Sequence, residues 1–260
     1  MRNATTVLMY HAIAEAGREC AEADPRYTVG RADFRRQLAA IEAAGLRAAS
    51  LATLLERRTP GAVAITFDDG HESNAIAAAD LLARCGSADL FVNPSRVGTK
   101  HFLDWAALRD LAAAGLSIQS HGETHRYLDD LGDAEIEREL AVSKARIEER
   151  VGRPVTLFAP PGGRLPARAL PVALRVGYRA LCSSVAGLWR GGAATHPIPR
   201  LAVLAATGDT RFCRWILQEP WEIARLAVRH RVLAGAKTLL GNGGYERVRA
   251  RLLARRGEAA

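Results

Sequence analysis

Short apolar runs that alternate with helix-length stretches constrain this chain more than any other feature. Residues 63–67 (Val-Ala-Ile-Thr-Phe) form the clearest run, and 7–10, 90–92, 116–120, 155–159 and 179–183 read as strands in the same way. Between them, the spacing of Phe34, Leu38 and Ile41 predicts a helix over 31–44, with others over 74–84, 105–114 and 133–150. Asp104 precedes the third of these and Gly115 is placed to cap its end, while Gly152 and Pro154 close the fourth. A last strand over 198–204 is weakened by Pro199. Such alternation predicts an α/β fold with a largely parallel sheet, here a closed or nearly closed (β/α) barrel. From residue 210 onward only helical patterns remain, interrupted at 241–244 (Gly-Asn-Gly-Gly). The expected organisation is therefore a barrel domain over 1–210 and a basic helical C-terminal extension over 211–260.

Chemistry concentrates where strands end. Asp68 and Asp69 follow the 63–67 run directly, and Gly70 follows them. Asp and Gly favour turns, so the triplet alone fits a surface turn. Two adjacent carboxylates behind a buried strand nevertheless repel one another unless a cation relieves them. His121 and His125, four residues apart, come just after the 116–120 strand. They converge if the segment is helical, and a loop could also bring them together. Borderline divalent metals accept imidazole nitrogen and carboxylate oxygen together, and a catalytic site uses three protein ligands with one position open. One Asp and two His would fill those places and leave the second Asp for proton transfer.

In these motifs the chain resembles the polysaccharide deacetylase family (NodB-homology domain, carbohydrate esterase family 4). The family's Thr-Phe-Asp-Asp-Gly is matched unchanged by Thr66–Gly70, and its His-(Ser/Thr)-x-x-His by His121–His125, with Gly122 in place of the hydroxyl residue that normally supports the metal loop. The resemblance spans roughly residues 5–205. It implies a distorted, seven-stranded barrel, with Asp69, His121 and His125 as metal ligands and Asp68 as general base. The metal implied is zinc, with cobalt or nickel as alternatives. The family's Arg-x-Pro-(Tyr/Phe)-Gly falls on residues 159–163, where Ala159 replaces the arginine, so no guanidinium from that position tunes the base. The aspartate that normally partners this arginine is absent around 181–184. In this the chain is similar to the exopolysaccharide branch that deacetylates poly-N-acetylglucosamine. That branch is circularly permuted, its last strand coming first, and Leu8-Met9-Tyr10-His11 matches the family's Leu-x-x-His at the end of the first strand. His11 is then the expected general acid, with His196 as the alternative, and the Gly162 N–H would face the oxyanion.

The implied function is metal-dependent removal of N-acetyl groups from amino sugars of a polysaccharide or a lipid-linked glycan precursor. Related C–N hydrolysis (a deformylase or cyclic amidase) and a non-catalytic glycan-binding barrel are the alternatives. Four scattered cysteines without a Cys-x-x-Cys pair suit reduced thiols in the cytoplasm. No signal peptide or membrane span is expected. The net charge is +8, and from Arg211 onward eleven Lys or Arg face four Glu. Such a tail suits an anionic partner, or is simply a solvated helix. No nucleic-acid motif accompanies it, which leaves peripheral contact with the inner membrane face as one expected use; Trp215 and Trp221 are candidates either for interfacial anchors or for packing the tail against the barrel.

Overall fold

The computed structural model describes residues 4–57, 59–191 and 196–229. The elements, in chain order, are β1 (Thr6–Tyr10), β2 (Ala12–Ala14), β3 (Thr28–Gly30), α1 (Arg31–Ala43), β4 (Arg47–Ala49), α2 (Leu51–Glu56), β5 (Ala62–Phe67) and α3 (Asn74–Leu82). Then come β6 (Asp89–Val92), α4 (Trp105–Ala113), β7 (Ser117–Ser120), α5 (Asp133–Val151), β8 (Leu157–Phe158), α6 (Ala169–Val176), β9 (Ala180–Leu181), β10 (Leu201–Ala202) and α7 (Asp209–Ile216).

Every residue of β1, β5 and β6 is buried, as expected of strands covered on both faces. The main sheet runs β10-β1-β5-β6-β7-β8-β9, and all its pairings are parallel. β4 shares one edge of β5 with β6: it pairs along residues 62–64, and β6 along 66–67. The segment before β10 draws the sheet's ends together. Ser183 N–H donates to Ile198 O at 2.8 Å, Ile198 N–H to Leu181 O at 2.7 Å, and Val203 N–H to Met9 O at 2.9 Å. The seven strands therefore curl into the barrel that the alternation predicted, and β1 lies between β10 and β5 as the permuted order requires.

Side chains alternate across the strands and sort into two clusters. Leu8, Val63, Ile65, Leu90 and Val92 face outward against Phe34, Leu38 and Ile41 of α1 and Ile136 and Leu140 of α5. Val7, Ala62, Ala64, Phe91, Leu157, Ala159 and Cys182 form the inner cluster, which Leu51 and Leu54 of α2 join. Local signals set the helix ends. The Asp104 carboxylate accepts from Ala107 N–H at 2.8 Å at the start of α4, and Gly152 adopts the left-handed conformation that ends α5.

Three features escape the sequence pattern. β2 and β3 are three residues each, too short to show a period. α2 is a six-residue helix, and α6 carries Pro171, which reads as a breaker but sits in the first turn, where a missing N–H costs little. The expected strands at 155–159 and 179–183 shrink to two residues each.

The C-terminal stretch packs on the barrel. Phe212, Trp215 and Ile216 join the outer cluster, and Thr6 Oγ1 donates to Trp215 O at 3.0 Å. Trp215 is only 3% exposed, so of its two expected roles it takes packing against the barrel and not interfacial anchoring. Residues 220–229 are helical and Trp221 is 52% exposed. The expected break at 241–244 and most of the basic excess lie outside the described residues. No helix among the described residues is long and apolar enough to cross a membrane.

Candidate active site

The carboxyl ends of β1, β5, β7 and β8 deliver His11, Asp68 with Asp69, His121 and the 160–163 turn to one end of the barrel. Asp69 and Gly70 turn the chain sharply, both at positive φ (74° and 71°). Gly70 is needed there, since a Cβ would lie 2.9 Å from Val92 Cγ1. Asp69 has no such freedom. A left-handed non-glycine residue costs on the order of 1–3 kcal/mol and persists only where its surroundings hold it. His125 is left-handed too, with φ 62°. The His121–His125 segment is a loop, so loop convergence and not a helical face brings the two rings together.

Asp69 Oδ1 lies 3.0 Å from His125 Nε2 and 3.4 Å from His121 Nε2. One ligand atom from each of the three residues falls within 4.8 Å of the others. His121 Nδ1 stands 2.7 Å from Ala159 O, and because a carbonyl can only accept, that nitrogen carries a proton. In the neutral ring Nε2 then offers a lone pair towards Asp69 Oδ1, a buried oxygen with no hydrogen-bond donor. Two acceptors facing one another call for a cation between them. Two imidazoles and a carboxylate suit zinc and its neighbours, so the residues present fit the implied metal. Burial lowers His125 below its ordinary value, against the upward pull of Asp69.

Asp68 points elsewhere. Its two oxygens take a bidentate ion pair from Arg200, Oδ1 to Nη1 at 2.7 Å and Oδ2 to Nη2 at 2.8 Å. Arg200 is fully buried, and its Nε donates to Ser183 O at 3.2 Å and its Nη1 to Thr66 Oγ1 at 3.2 Å. Burial pushes Asp68 up, and the Arg200 charge, with His121 and His11 nearby, brings it below its ordinary value. The 159–163 motif supplies no guanidinium, as expected, yet the base has one from elsewhere in the chain. Ala159 does replace the arginine of the 159–163 motif, but Arg200 reaches the same carboxylate from the start of β10. The sequence signal was a single charge inside the otherwise apolar run 198–204. Ala159 itself contributes its carbonyl, which sets the His121 tautomer.

His11 follows β1, with its ring 4.4 Å from that of Tyr27 and its Nδ1 sealed from solvent without a hydrogen-bond partner. Burial brings His11 below its ordinary value, even though the charges of Asp68 and Asp69, in whose field it stands, pull it up. His196 is exposed in the segment before β10. Gly162 has φ 61°, and a Cβ there would come 2.7 Å from Tyr127 Cε1, so the turn admits only glycine.

Residues 56–181, which hold both the Asp-Asp and His-x-x-x-His motifs, match the family model of polysaccharide deacetylases. That stretch belongs to the polysaccharide deacetylase family. YxkH of Bacillus subtilis (strain 168), which carries the polysaccharide deacetylase name, is 32% identical over 118 residues. The match covers 45% of this chain and 42% of YxkH, so the chain spans less than half of that relative. Among solved structures, a polysaccharide deacetylase from Bacillus cereus superposes with a TM-score of 0.73 at 22% identity, over 82% of this chain and 69% of its own. The Streptococcus pyogenes deacetylase PplD gives 0.71 at 22% over 83% and 97%, and IcaB from Ammonifex degensii 0.70 at 21% over 82% and 97%. At these identities the structures establish a shared fold.

Proposed function

We propose that this chain is a divalent-metal-dependent hydrolase that removes N-acetyl groups from amino sugars of a glycan. The observation that carries the proposal is the division of labour between adjacent aspartates: Asp69 faces two histidines, and Asp68 is held apart by Arg200. Asp69, His121 and His125 would hold the metal, which supplies Lewis-acid polarisation of the acetyl carbonyl and of a water. Asp68, ionised and oriented by Arg200, takes the proton of that water as its oxygen bonds to the carbonyl carbon. The Gly162 N–H stabilises the developing oxyanion. His11 gives a proton to the departing nitrogen as the C–N bond breaks, leaving acetate and a free amine. The buried Arg200 pair also answers the reason for suspecting a non-catalytic barrel, namely a missing guanidinium.

The glycan class follows from kinship with deacetylases that include IcaB, and a polymer and a lipid-linked precursor both remain within it. A cytoplasmic, membrane-peripheral setting belongs to the same proposal. Its support is the exposed Trp221, with the Arg214 guanidinium 4.8 Å over its ring. Acetate release by the zinc-loaded enzyme, from N-acetylglucosamine oligomers and from a lipid-phosphate-linked N-acetylhexosamine, tests both parts. Release from either establishes the reaction and identifies the carrier. No release from either, with formyl or cyclic-amide substrates hydrolysed instead, would replace deacetylation by another C–N cleavage.

A further inference from the structure

Glu139 is a buried carboxylate in the middle of α5, on the helix face that otherwise carries Ile136, Leu140 and Ser143. An isolated charge in such a place is costly unless donors surround it. Among the described residues, the donors it receives come from the His121–His125 loop. Its Oε2 accepts from Glu123 N–H at 2.8 Å and Thr124 N–H at 2.9 Å, and its Oε1 from the Thr124 hydroxyl. The loop has little backbone pairing of its own and is left-handed at Gly122 and His125. From the opposite side, Asn93 at the end of β6 donates to His121 O at 2.6 Å and to Gly122 O at 3.1 Å. The loop is thus gripped by its carbonyls from β6 and by its N–H groups from α5.

Gly122 explains why the second grip needs a carboxylate. A Cβ at 122 would lie 3.2 Å from Glu139 Oε2, tighter than ordinary contact, and φ there is 83°. Glycine at 122 lets the carboxylate close against the loop backbone, and the carboxylate in turn satisfies donors that no side chain at 122 is available to meet. We propose that Glu139 is the positioning residue of the metal-binding loop, holding His121 and His125 at the spacing a divalent cation requires and replacing the support that Gly122 cannot give. This rests on the metal reading of Asp69, His121 and His125. Outer hydrogen-bond partners of this kind set metal affinity by about 10–100-fold.

The test is zinc affinity, by competition with a chromogenic chelator, together with the visible spectrum of the cobalt-loaded protein. Both readouts are independent of turnover. Glu139→Ala should weaken zinc binding by about 10–100-fold and alter the cobalt spectrum. Glu139→Gln keeps an oxygen for the two N–H groups and an amide for the Thr124 hydroxyl, and should stay within about threefold of wild type, since neutral hydrogen bonds replace charge-assisted ones. If the alanine variant does not fold, Glu139→Asp decides, because its shortened carboxylate cannot reach the loop and zinc should bind more weakly. Folded alanine or aspartate variants with wild-type zinc affinity and an unchanged cobalt spectrum would overturn the proposal. A wild-type protein that binds neither metal would instead overturn the metal reading beneath it.

Discussion

The two halves of the site are built by opposite means. The Asp68 half is made by the sheet: Asp68 directly follows β5, and Arg200, just before β10, meets it with all three guanidinium nitrogens engaged. The His half is made by a loop in left-handed conformations, tied down by the hydrogen bonds that Asn93 donates to two of its carbonyls and that Glu139 accepts from Glu123 and Thr124. A bidentate ion pair buried inside the barrel cannot be broken without leaving an uncompensated charge there. A loop held from outside can shift by fractions of an ångström and lose metal geometry while the fold stands. Proton transfer and metal binding should therefore be separable by mutation, the first tied to global stability and the second to local geometry.

The sharpest way to break this contrast is Arg200→Ala. It strands Asp68 as an unpaired buried carboxylate, and should cost about 3–5 kcal/mol of stability in urea unfolding, together with activity. A variant of wild-type stability would show that the pair does not fix the sheet half. Next comes Asp68→Asn, which keeps the shape but removes the base: turnover should drop by about 10²–10⁴, with zinc affinity within a few-fold of wild type. Turnover near the wild-type level would end the role assigned to Asp68. His125→Ala probes the other half, where zinc binding and activity should vanish together while the urea midpoint hardly moves, since the ring is partly exposed.

The smallest effect compares two buried carboxyls. Asp68 has Arg200 paired to both oxygens, whereas Asp89 accepts from neutral donors, the N–H groups of Leu51 and Ala52 at the start of α2 and the Ser117 hydroxyl, and burial pushes it up to about 7. The folded protein keeps that proton up to about pH 7, while the unfolded chain releases it near pH 3.9. Through that window the folded state binds more protons, so stability falls as pH rises and levels off above it. Urea midpoints at pH 5 and pH 8 should differ in wild type in that direction, and less in Asp89→Asn. Equal slopes in the two proteins would remove Asp89 as the cause.

Much of this was legible in the sequence, for a physical reason. Buried parallel strands need continuous apolar runs, and the proposed metal ligands at their ends come from a few residue types, so residues 63–70 and 116–125 carry both signals at once. His11 was legible because the first strand ends on it. Arg200 was not, because its partner lies 132 positions away and no local spacing connects them. Glu139 was hidden in a helix rich in surface charge, where one carboxylate on the inward face looks like its neighbours. The tryptophans show the same limit: composition alone could not separate the buried Trp215 from the exposed Trp221.

The most direct test of the central claim is acetate release from N-acetylglucosamine oligomers by one preparation measured as purified, after chelation, and after zinc is restored. The account predicts release that stops on chelation and returns with zinc, in wild type but not in His125→Ala. Release that continues undiminished in the chelated protein would contradict it.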